Sequence, residues 1–254
     1  MSVTGERGGR PLRPGPSIAD SGAGMLVTIG IVSALYRAKN TGKGAHVEVA
    51  MQDAVMQFIR GAFSEHERTG KAAPRAGTKS AAVINVPSDI YPCKPGGPND
   101  YVYIYPHRNN PTHWRKLLEV IGRQDLIGDP RYDTADARVQ NEAEVDAFLK
   151  EWTLKHDKRE AAKLFGEAGI PAGPVMDTLD LESDETFVER GIIQKVSHPT
   201  HGEFKMLTFP VRCDGETSPV SPAPLLGQHT DEVLGALLKL GPAQLEDLHK
   251  RQII

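Results

Sequence analysis

Cysteine and surplus charge are both scarce in this sequence, and each scarcity excludes a class of protein. Among 254 residues there are only two cysteines, Cys93 and Cys213, and they match no metal or redox spacing. We therefore expect no disulfide framework, two buried or inert thiols, and a reducing, cytoplasmic compartment. The formal net charge is only -3, so there is no electrostatic basis for binding nucleic acid or an anionic membrane. The histidines show no ligand spacing, and we predict no metal site.

A long hydrophobic run is absent too. The longest apolar stretch covers residues 25–36, is interrupted by glycine and hydroxyl residues, and ends at Arg37, so it is too short for a membrane span. A secretory signal is the alternative, because three arginines precede the run, but no small-residue cleavage site follows it. The sequence therefore favours a helix that is buried in a protein core nearly all round.

What remains is an ordinary globular composition, with 39% hydrophobic and 25% charged residues, in a chain long enough for one large domain or two smaller ones. Hydrophobic periodicity predicts both helices and short strands. Helices are expected over residues 25–36, 51–70, 111–121, 138–155, 157–168, 183–190, and from 230 and 242 onward. Strands are expected over residues 46–50, 81–91, 101–105, 192–196 and 203–207.

The stretch before the first predicted helix carries the most informative residue, Asp20. It stands on a turn of small residues, Ser21 to Gly24, that opens into the helix. There its carboxylate would lie near exposed backbone N–H groups and the positive end of the helix dipole. The ordinary explanation is that Asp20 or Ser21 is the N-cap. The functional alternative is a reactive carboxylate, to which Gly22 and Gly24 leave room for a bulky ligand.

Six short motifs follow one another along the chain, at residues 1–5, 14–24, 41–44 together with 51–54, 129–132, 169–175 and 223–234. On these motifs the chain resembles the family III CoA-transferases, the group that includes formyl-CoA transferase and carnitine CoA-transferase. The resemblance implies an α/β fold: the C-terminal part of such an enzyme, with an incomplete Rossmann-like large domain and a smaller α+β domain. In the family a substantial N-terminal part, which supplies early strands and most CoA contacts, precedes the matching segment. We therefore expect this chain to lack that part.

The same resemblance predicts a division of the chain into three parts. Residues 1–75 would be the remainder of the large domain, with the catalytic loop and two helices. Residues 76–168 would form the small α+β domain, with a hairpin and helices. Residues 169–254 would be a linker and a C-terminal return to the large domain.

A mechanism is implied as well, in which Asp20 matches the nucleophile of the family. Its carboxylate would attack the thioester of an acyl-CoA, because a carboxylate is ionised at neutral pH and needs no separate base. Backbone N–H groups of residues 22–24 would stabilise the developing charge. Substrate or CoA contacts are expected at the following residues: Ser21, Gly22, Gly24, Gly77 and Thr78. Coenzyme A enters as a thioester substrate, together with a small carboxylic acid, and no permanently bound cofactor is implied.

Two alternatives to CoA transfer stay open. Acyl-CoA racemases and epimerases share the fold and use a matching aspartate as a base, although the residues after Asp20 are nearer to the transferases. The chain could also be an inactive, truncated form. The family architecture implies an interlocked homodimer, in which residues 70–80 and 165–175 would form part of the ring. Residues 76–82 depart from the glycine run of formyl-CoA transferase, so formate or oxalate specificity does not carry over.

Overall fold

The computed structural model describes residues 1–79 and 85–254. They form two compact units, Met1–Val175 and Met176–Ile254, which are described separately. The three-part division predicted from the sequence stays a prediction. Part of the predicted strand 81–91 lies outside the described residues, and its visible part is the short strand β1 (Asp89–Pro92).

The first unit begins with a loop that leads into a long helix, α1 (Ile18–Thr41). This helix is twice as long as the apolar run from which it was predicted, and it ends at Gly42, whose φ of 70° is left-handed. The predicted helix 51–70 is two helices, α2 (Met51–Phe58) and α3 (Arg60–Thr69), separated at Ile59. The predicted strand 46–50 is wrong, because these residues belong to no strand and pair with none among the residues described.

Glycines let α1 pack closely on the chain that follows it. A Cβ on Gly22 would overlap the ring of Phe58, and one on Gly30 would lie 2.8 Å from Val47 Cγ1. These contacts cover one face of the helix. The expectation that α1 is buried nearly all round is therefore wrong within the described residues.

α1 also carries a row of exposed apolar side chains at helical spacing. Met25, Ile29, Val32 and Tyr36 are between 61% and 72% exposed. In the part of the chain that the structure describes, α1 is also long and apolar enough to cross a membrane, judged by length and composition alone. Core helices of soluble proteins and signal sequences meet the same criterion, so this property does not distinguish between them.

The core of the first unit forms around a three-stranded antiparallel sheet. Strand β2 (Tyr101–Ile104) pairs with β1 on one side and, on the other, with β3 (Ala172–Pro174), which follows four helices later in the chain. The side chains of β2 alternate between two faces, so that Val102 and Ile104 are fully buried while Tyr101 and Tyr103 are half-buried. The four helices are α4 (Pro111–Val120), α5 (Ala135–Gln140), α6 (Glu142–Thr153) and α7 (Lys158–Glu167).

Side-chain caps explain where these helices begin. Asn110 accepts a hydrogen bond from the Thr112 amide at the start of α4, with Pro111 in the first helical position. Asp157 accepts from two amides at the start of α7. Both starts were predicted from the sequence and are confirmed. The apolar faces of the helices meet the sheet in one cluster, whose largest fully buried members are Val102, Ile104, Leu117, Leu118, Val145, Leu149, Phe165 and Ile170.

A buried arginine joins the loop before α5 to the chain before β1. Arg138 donates from Nε to the Val86 carbonyl at 2.9 Å and from Nη1 to the Tyr132 carbonyl at 2.9 Å. Its guanidinium lies 4.7 Å from the centre of the Trp114 ring. Burial lowers the pKa of Arg138 to about 10, and the carbonyls and the ring compensate for part of that desolvation.

Lys79 is the second polar link, and it ties the end of the first described segment to β1 and α6. Its Nζ lies 2.7 Å from Glu142, 3.1 Å from Asp146 and 3.2 Å from Asp89. Tyr91 donates a hydrogen bond of 2.7 Å from its hydroxyl to Asp146. Burial acts to lower the pKa of Lys79, but the hydrogen bonds to Glu142 and Asp146 outweigh it and raise the pKa. Burial, reinforced by Asp146, raises the pKa of Tyr91 far above its usual range.

The second unit contains four helices and one hairpin. Strands β4 (Ile193–His198) and β5 (Gly202–Leu207) pair around a tight turn, which confirms the predicted hairpin. His198 and His201 lie in that turn with their ring centres 4.7 Å apart, on the surface as expected. Cys93 of the first unit is buried, whereas Cys213 here is exposed, so burial is confirmed for Cys93 and the inertness of Cys213 stays a prediction. The helices are α8 (Thr178–Ser183), α9 (Glu185–Glu189), α10 (Thr230–Leu238) and α11 (Pro242–Lys250).

We expect Leu117→Ala to destabilise the first unit by about 3 kcal/mol, because it removes buried methyl groups and leaves a cavity in a core that contains few voids. Leu154→Ala is the matched control, since Leu154 lies at the end of α6 and is 45% exposed; we expect a loss below about 1 kcal/mol. Urea unfolding followed by circular dichroism measures both. Equal losses for the two variants would contradict the described core.

Tyr91 and Lys79 make the first unit sensitive to alkali. Both groups hold their protons more tightly in the folded chain than in the unfolded chain, so stability is complete below about pH 10 and falls above it, by up to about 1.4 kcal/mol per pH unit for each group. Tyr91→Phe should make this fall shallower, whereas Tyr36→Phe, on an exposed ring, should not. Urea unfolding at several pH values between about 8 and 11.5 tests this, and identical slopes for Tyr91→Phe and the parent chain would contradict it.

Candidate active site

Asp20 lies in the first turn of α1, at the third helical position. The N-cap is Ser17, and no side chain caps the helix. The ordinary explanation, that Asp20 or Ser21 is the N-cap, is therefore wrong. The Asp20 side chain is exposed, and within residues 1–79 and 85–254 it makes no hydrogen bond or ion pair. Its carboxylate is thus uncommitted, and it stands at the positive end of a 24-residue helix.

The residues that follow Asp20 are helical, which changes the part that their backbone can play. The sequence predicted a turn over Ser21 to Gly24, but these residues belong to α1, and Ser21 already donates its amide to the Ser17 carbonyl at 3.0 Å. From that position onward the amides are used inside the helix. The prediction that the amides of residues 22–24 donate hydrogen bonds to a developing negative charge is therefore wrong. The helix instead leaves the first-turn amides of Ala19 and Asp20 without an intrahelical acceptor.

The two glycines after Asp20 differ in surroundings. Gly22 is buried against Phe58 of α2, and that contact by itself requires glycine. Among the described residues, no atom other than those of its chain neighbours and its own helix backbone lies within 4 Å of where a Cβ on Gly24 would stand, so the surface there is open to a ligand. Contact of Ser21, Gly22 and Gly24 with a substrate stays a prediction.

Gly77 and Thr78, the other two predicted contact residues, lie at the end of the first described segment. Gly77 has a φ of 65°, which favours glycine, and its amide donates to the Gly5 carbonyl at 3.0 Å. The Thr78 hydroxyl donates a short hydrogen bond to Asp89 on β1. The described chain contains no hydrogen bond or ion pair between these two residues and Asp20. A role for both in binding substrate also stays a prediction.

A cleft of about 320 Å³ lies beside α1, between Leu26 and the start of α2, where Asp53 and Gln57 line it. Asp53 occupies the first turn of α2, as Asp20 occupies the first turn of α1. The periodicity of α2 indicated its apolar stripe, but no motif pointed to this cleft. Asp53 is thus a carboxylate that matches Asp20 in its helical position. Over the described residues, no group of three or more histidine, cysteine or carboxylate side chains is arranged to hold a metal ion.

Comparison with known proteins connects these features to one family. The model of CoA-transferase family III matches residues 1–230. Formyl-CoA:oxalate CoA-transferase from Streptomyces avermitilis is 34% identical over 267 residues, which cover 100% of this chain and 64% of that protein. The enzyme of the same name from Bradyrhizobium diazoefficiens is 34% identical, over 98% of this chain and 62% of its own length.

A solved structure agrees with these sequences. The CAIB/BAIF family protein from Brucella suis superposes with a TM-score of 0.75 at 28% identity, over 93% of this chain and 60% of that one. The predicted α/β fold class is thereby confirmed. The chain spans less than two thirds of the length of the curated relatives that it matches. Because the family model covers most of the chain, this protein belongs to CoA-transferase family III.

Proposed function

We propose that this protein transfers coenzyme A from an acyl-CoA thioester to a free carboxylic acid, with Asp20 as the nucleophile. The observation that carries the proposal is an exposed, uncommitted carboxylate in the first turn of α1, in a chain that belongs to CoA-transferase family III. A carboxylate at this place serves neither as a cap nor as an ion-pair partner among the described residues. Catalysis gives a reason for its presence that packing does not supply.

The first half of the reaction loads Asp20. A carboxylate oxygen of Asp20 attacks the thioester carbonyl carbon, the C–S bond breaks, and CoA leaves as a thiolate, so that a mixed anhydride forms. The thiolate then attacks the Asp20 carbonyl carbon of that anhydride. The donor acid leaves as its carboxylate, and Asp20 is left as a thioester of CoA.

The second half runs the same steps in reverse with another acid. The acceptor carboxylate attacks the Asp20 thioester, thiolate leaves, and a new anhydride forms. The thiolate then attacks the acceptor carbonyl carbon, which releases the new acyl-CoA and restores the Asp20 carboxylate. No proton needs to be moved at any step, because every nucleophile and every leaving group is an anion.

The place of Asp20 in α1 suits this chemistry electrostatically. Each attack on a carbonyl puts negative charge on oxygen, and the start of a helix favours negative charge within its first turn. The amides of Ala19 and Asp20 are the nearest backbone donors without an acceptor inside the helix. Gly24 leaves open surface one turn further along, where the thioester could approach.

The relatives suggest the substrate class. Two proteins that share 34% identity with the chain are named for formyl-CoA and oxalate. We propose a small carboxylic acid as acceptor and the CoA thioester of another as donor, with coenzyme A as a substrate and no permanently bound cofactor. The chain carries residues 76–82 where the resemblance would place a glycine run, so formate and oxalate themselves do not follow from the sequence.

Trapping of the acyl-enzyme tests the proposal. We expect oxalyl-CoA or succinyl-CoA followed by hydroxylamine to convert Asp20 to a hydroxamate, which peptide mass spectrometry locates. Asp20→Ala should lose all labelling because the attacking oxygen is gone. Asp53→Ala should label normally, since it removes the corresponding exposed acid of α2.

Other outcomes separate the alternatives. A racemase uses its aspartate as a base and forms no acyl-enzyme, so exchange of the α-proton of an acyl-CoA without any hydroxamate would favour that function. Full labelling of Asp20→Ala would make Asp20 wrong as the nucleophile. A folded parent chain that gives neither label nor proton exchange would favour an inactive form.

We propose, in addition, that the functional form is an interlocked homodimer of the 27.6 kDa chain. The exposed apolar row of α1 supports a protein contact, because large exposed apolar surfaces mark such contacts. Interlocked chains cannot separate without unfolding. Sedimentation velocity should therefore give a dimer whose fraction does not fall on dilution from micromolar to nanomolar concentration. A stable monomer at micromolar concentration would contradict the dimer, and dissociation on dilution would contradict interlocking.

A further inference from the structure

The loop that precedes α1 is closed on itself by backbone hydrogen bonds. The Leu12 amide donates to the Thr4 carbonyl at 2.8 Å, and the Thr4 amide donates to the Met1 carbonyl at 3.0 Å. Gly5, inside this loop, has a φ of 137°, and a Cβ there would lie 2.5 Å from the Arg10 carbonyl oxygen. Residues 1–12 therefore form one folded loop, here called the entry loop.

Arg75 holds the entry loop from outside. Its Nε donates to the Gly9 carbonyl at 2.8 Å, and its Nη1 lies 3.2 Å from the Ser2 carbonyl. Its Cδ lies so close to Gly5 that a Cβ there would be 3.0 Å away. Two residues on, the Gly77 amide donates to the Gly5 carbonyl at 3.0 Å. One short stretch of chain thus makes polar contacts with three carbonyls of the loop.

The other end of the same stretch is fastened to the sheet and to α6. Lys79 Nζ is within 3.2 Å of carboxylates on three residues, Asp89, Glu142 and Asp146. The Thr78 hydroxyl bonds to Asp89. These partners belong to elements that the core holds in place, since Tyr91, two residues after Asp89 on β1, is 3% exposed. Residues 75–79 therefore span from a rigid core to the entry loop.

We infer that Arg75 and Lys79 are positioning residues that hold the entry loop, and through it the start of α1, against the sheet and α6. The helix begins at Ile18, only six residues after Leu12, and Asp20 lies in its first turn. The consequence for catalysis rests on the proposed function of Asp20. The holding of the entry loop by Arg75 and Lys79 depends only on the contacts described above.

The connection between the entry loop and the core depends on the positive charge of Lys79. Its side chain is 19% exposed, and each of its three carboxylate partners is between 21% and 31% exposed, so water screens the cluster incompletely. Removal of the ammonium group leaves three carboxylates that repel one another, with only the exposed Arg7 guanidinium, 3.9 Å from Glu142, as a remaining counter-charge. Arginine at position 79 would keep that charge, whereas methionine would keep only the apolar length.

Hydrogen exchange measures the connection directly. In Lys79→Met we expect the amides of Leu12 and Gly77 to exchange at least about tenfold faster, while α7 amides keep their protection, because local openings differ from global unfolding. Lys79→Arg should stay near the parent. Lys163→Met is the control, since the Lys163 side chain is 74% exposed and its Nζ lies 3.9 Å from the carboxylate of Glu167 on the same helix. We expect no change in exchange for this variant.

A second variant keeps the test decisive if Lys79→Met unfolds the whole unit. Arg75→Met leaves the carboxylate cluster intact and removes only the bonds to the entry loop. It should speed exchange at Leu12 without affecting α7. Unchanged exchange at Leu12 in a folded Lys79→Met or Arg75→Met variant would overturn the inference.

Acylation of Asp20 tests the consequence. We expect Lys79→Met to form the hydroxylamine-sensitive acyl-enzyme about tenfold more slowly at saturating acyl-CoA, with a smaller change in the half-saturating concentration, and Lys79→Arg to restore the rate, since misplacement of a reacting group lowers the rate more than binding. Faster exchange with an unchanged acylation rate would overturn the positioning role and leave a structural one. If the parent chain forms no acyl-enzyme, the proposed function fails, while the exchange experiment still decides whether the entry loop is held.

Discussion

Val102 and Ile104 leave β2 on the same face and enter a core in which Leu117, Leu149 and Phe165 are completely buried. This burial holds the best-packed part of the chain together, since helices of this length have little stability without tertiary contacts. The order of elements along the chain follows from it: β3 returns to pair with β2 only after the helices have covered the sheet. The contacts of Arg138 and Lys79 both reach residues that lie beside this core.

The α1 region obeys a different constraint. Its helix is apolar enough for a core, yet within the described residues only one of its faces meets other side chains, at Gly22 and Gly30. An apolar row of this size is typical of a contact surface. The first turn of the same helix places Asp20 at a positive helix end with its carboxylate uncommitted. An uncommitted carboxylate and incomplete burial therefore occur in one element, while the sheet and its helices form the best-packed part of the unit.

Glycine has a different structural role at each of the three predicted contact positions that it occupies. At Gly22 it allows Phe58 to reach the backbone of α1, at Gly24 it leaves open surface, and at Gly77 it permits a left-handed turn. The same residue type thus allows close helix packing at one position, leaves the surface open to a ligand at the next, and permits a left-handed backbone at the third. The identity of a glycine in a motif does not reveal which of these it satisfies, because each depends on what lies opposite.

The sequence by itself determined what depends on near neighbours. Asn110 and Asp157 begin their helices because their side chains reach amides two or three residues away, and the β4–β5 hairpin needs only a turn and alternation. The family motifs, and Asp20 within them, were likewise readable along the chain. Tertiary structure decided what depends on distant partners. Arg138 is buried because Trp114 and the carbonyl of Val86 surround it, and Lys79 gathers carboxylates from up to 67 positions away. No periodicity encodes such contacts, since burial and charge pairing act through space rather than along the chain.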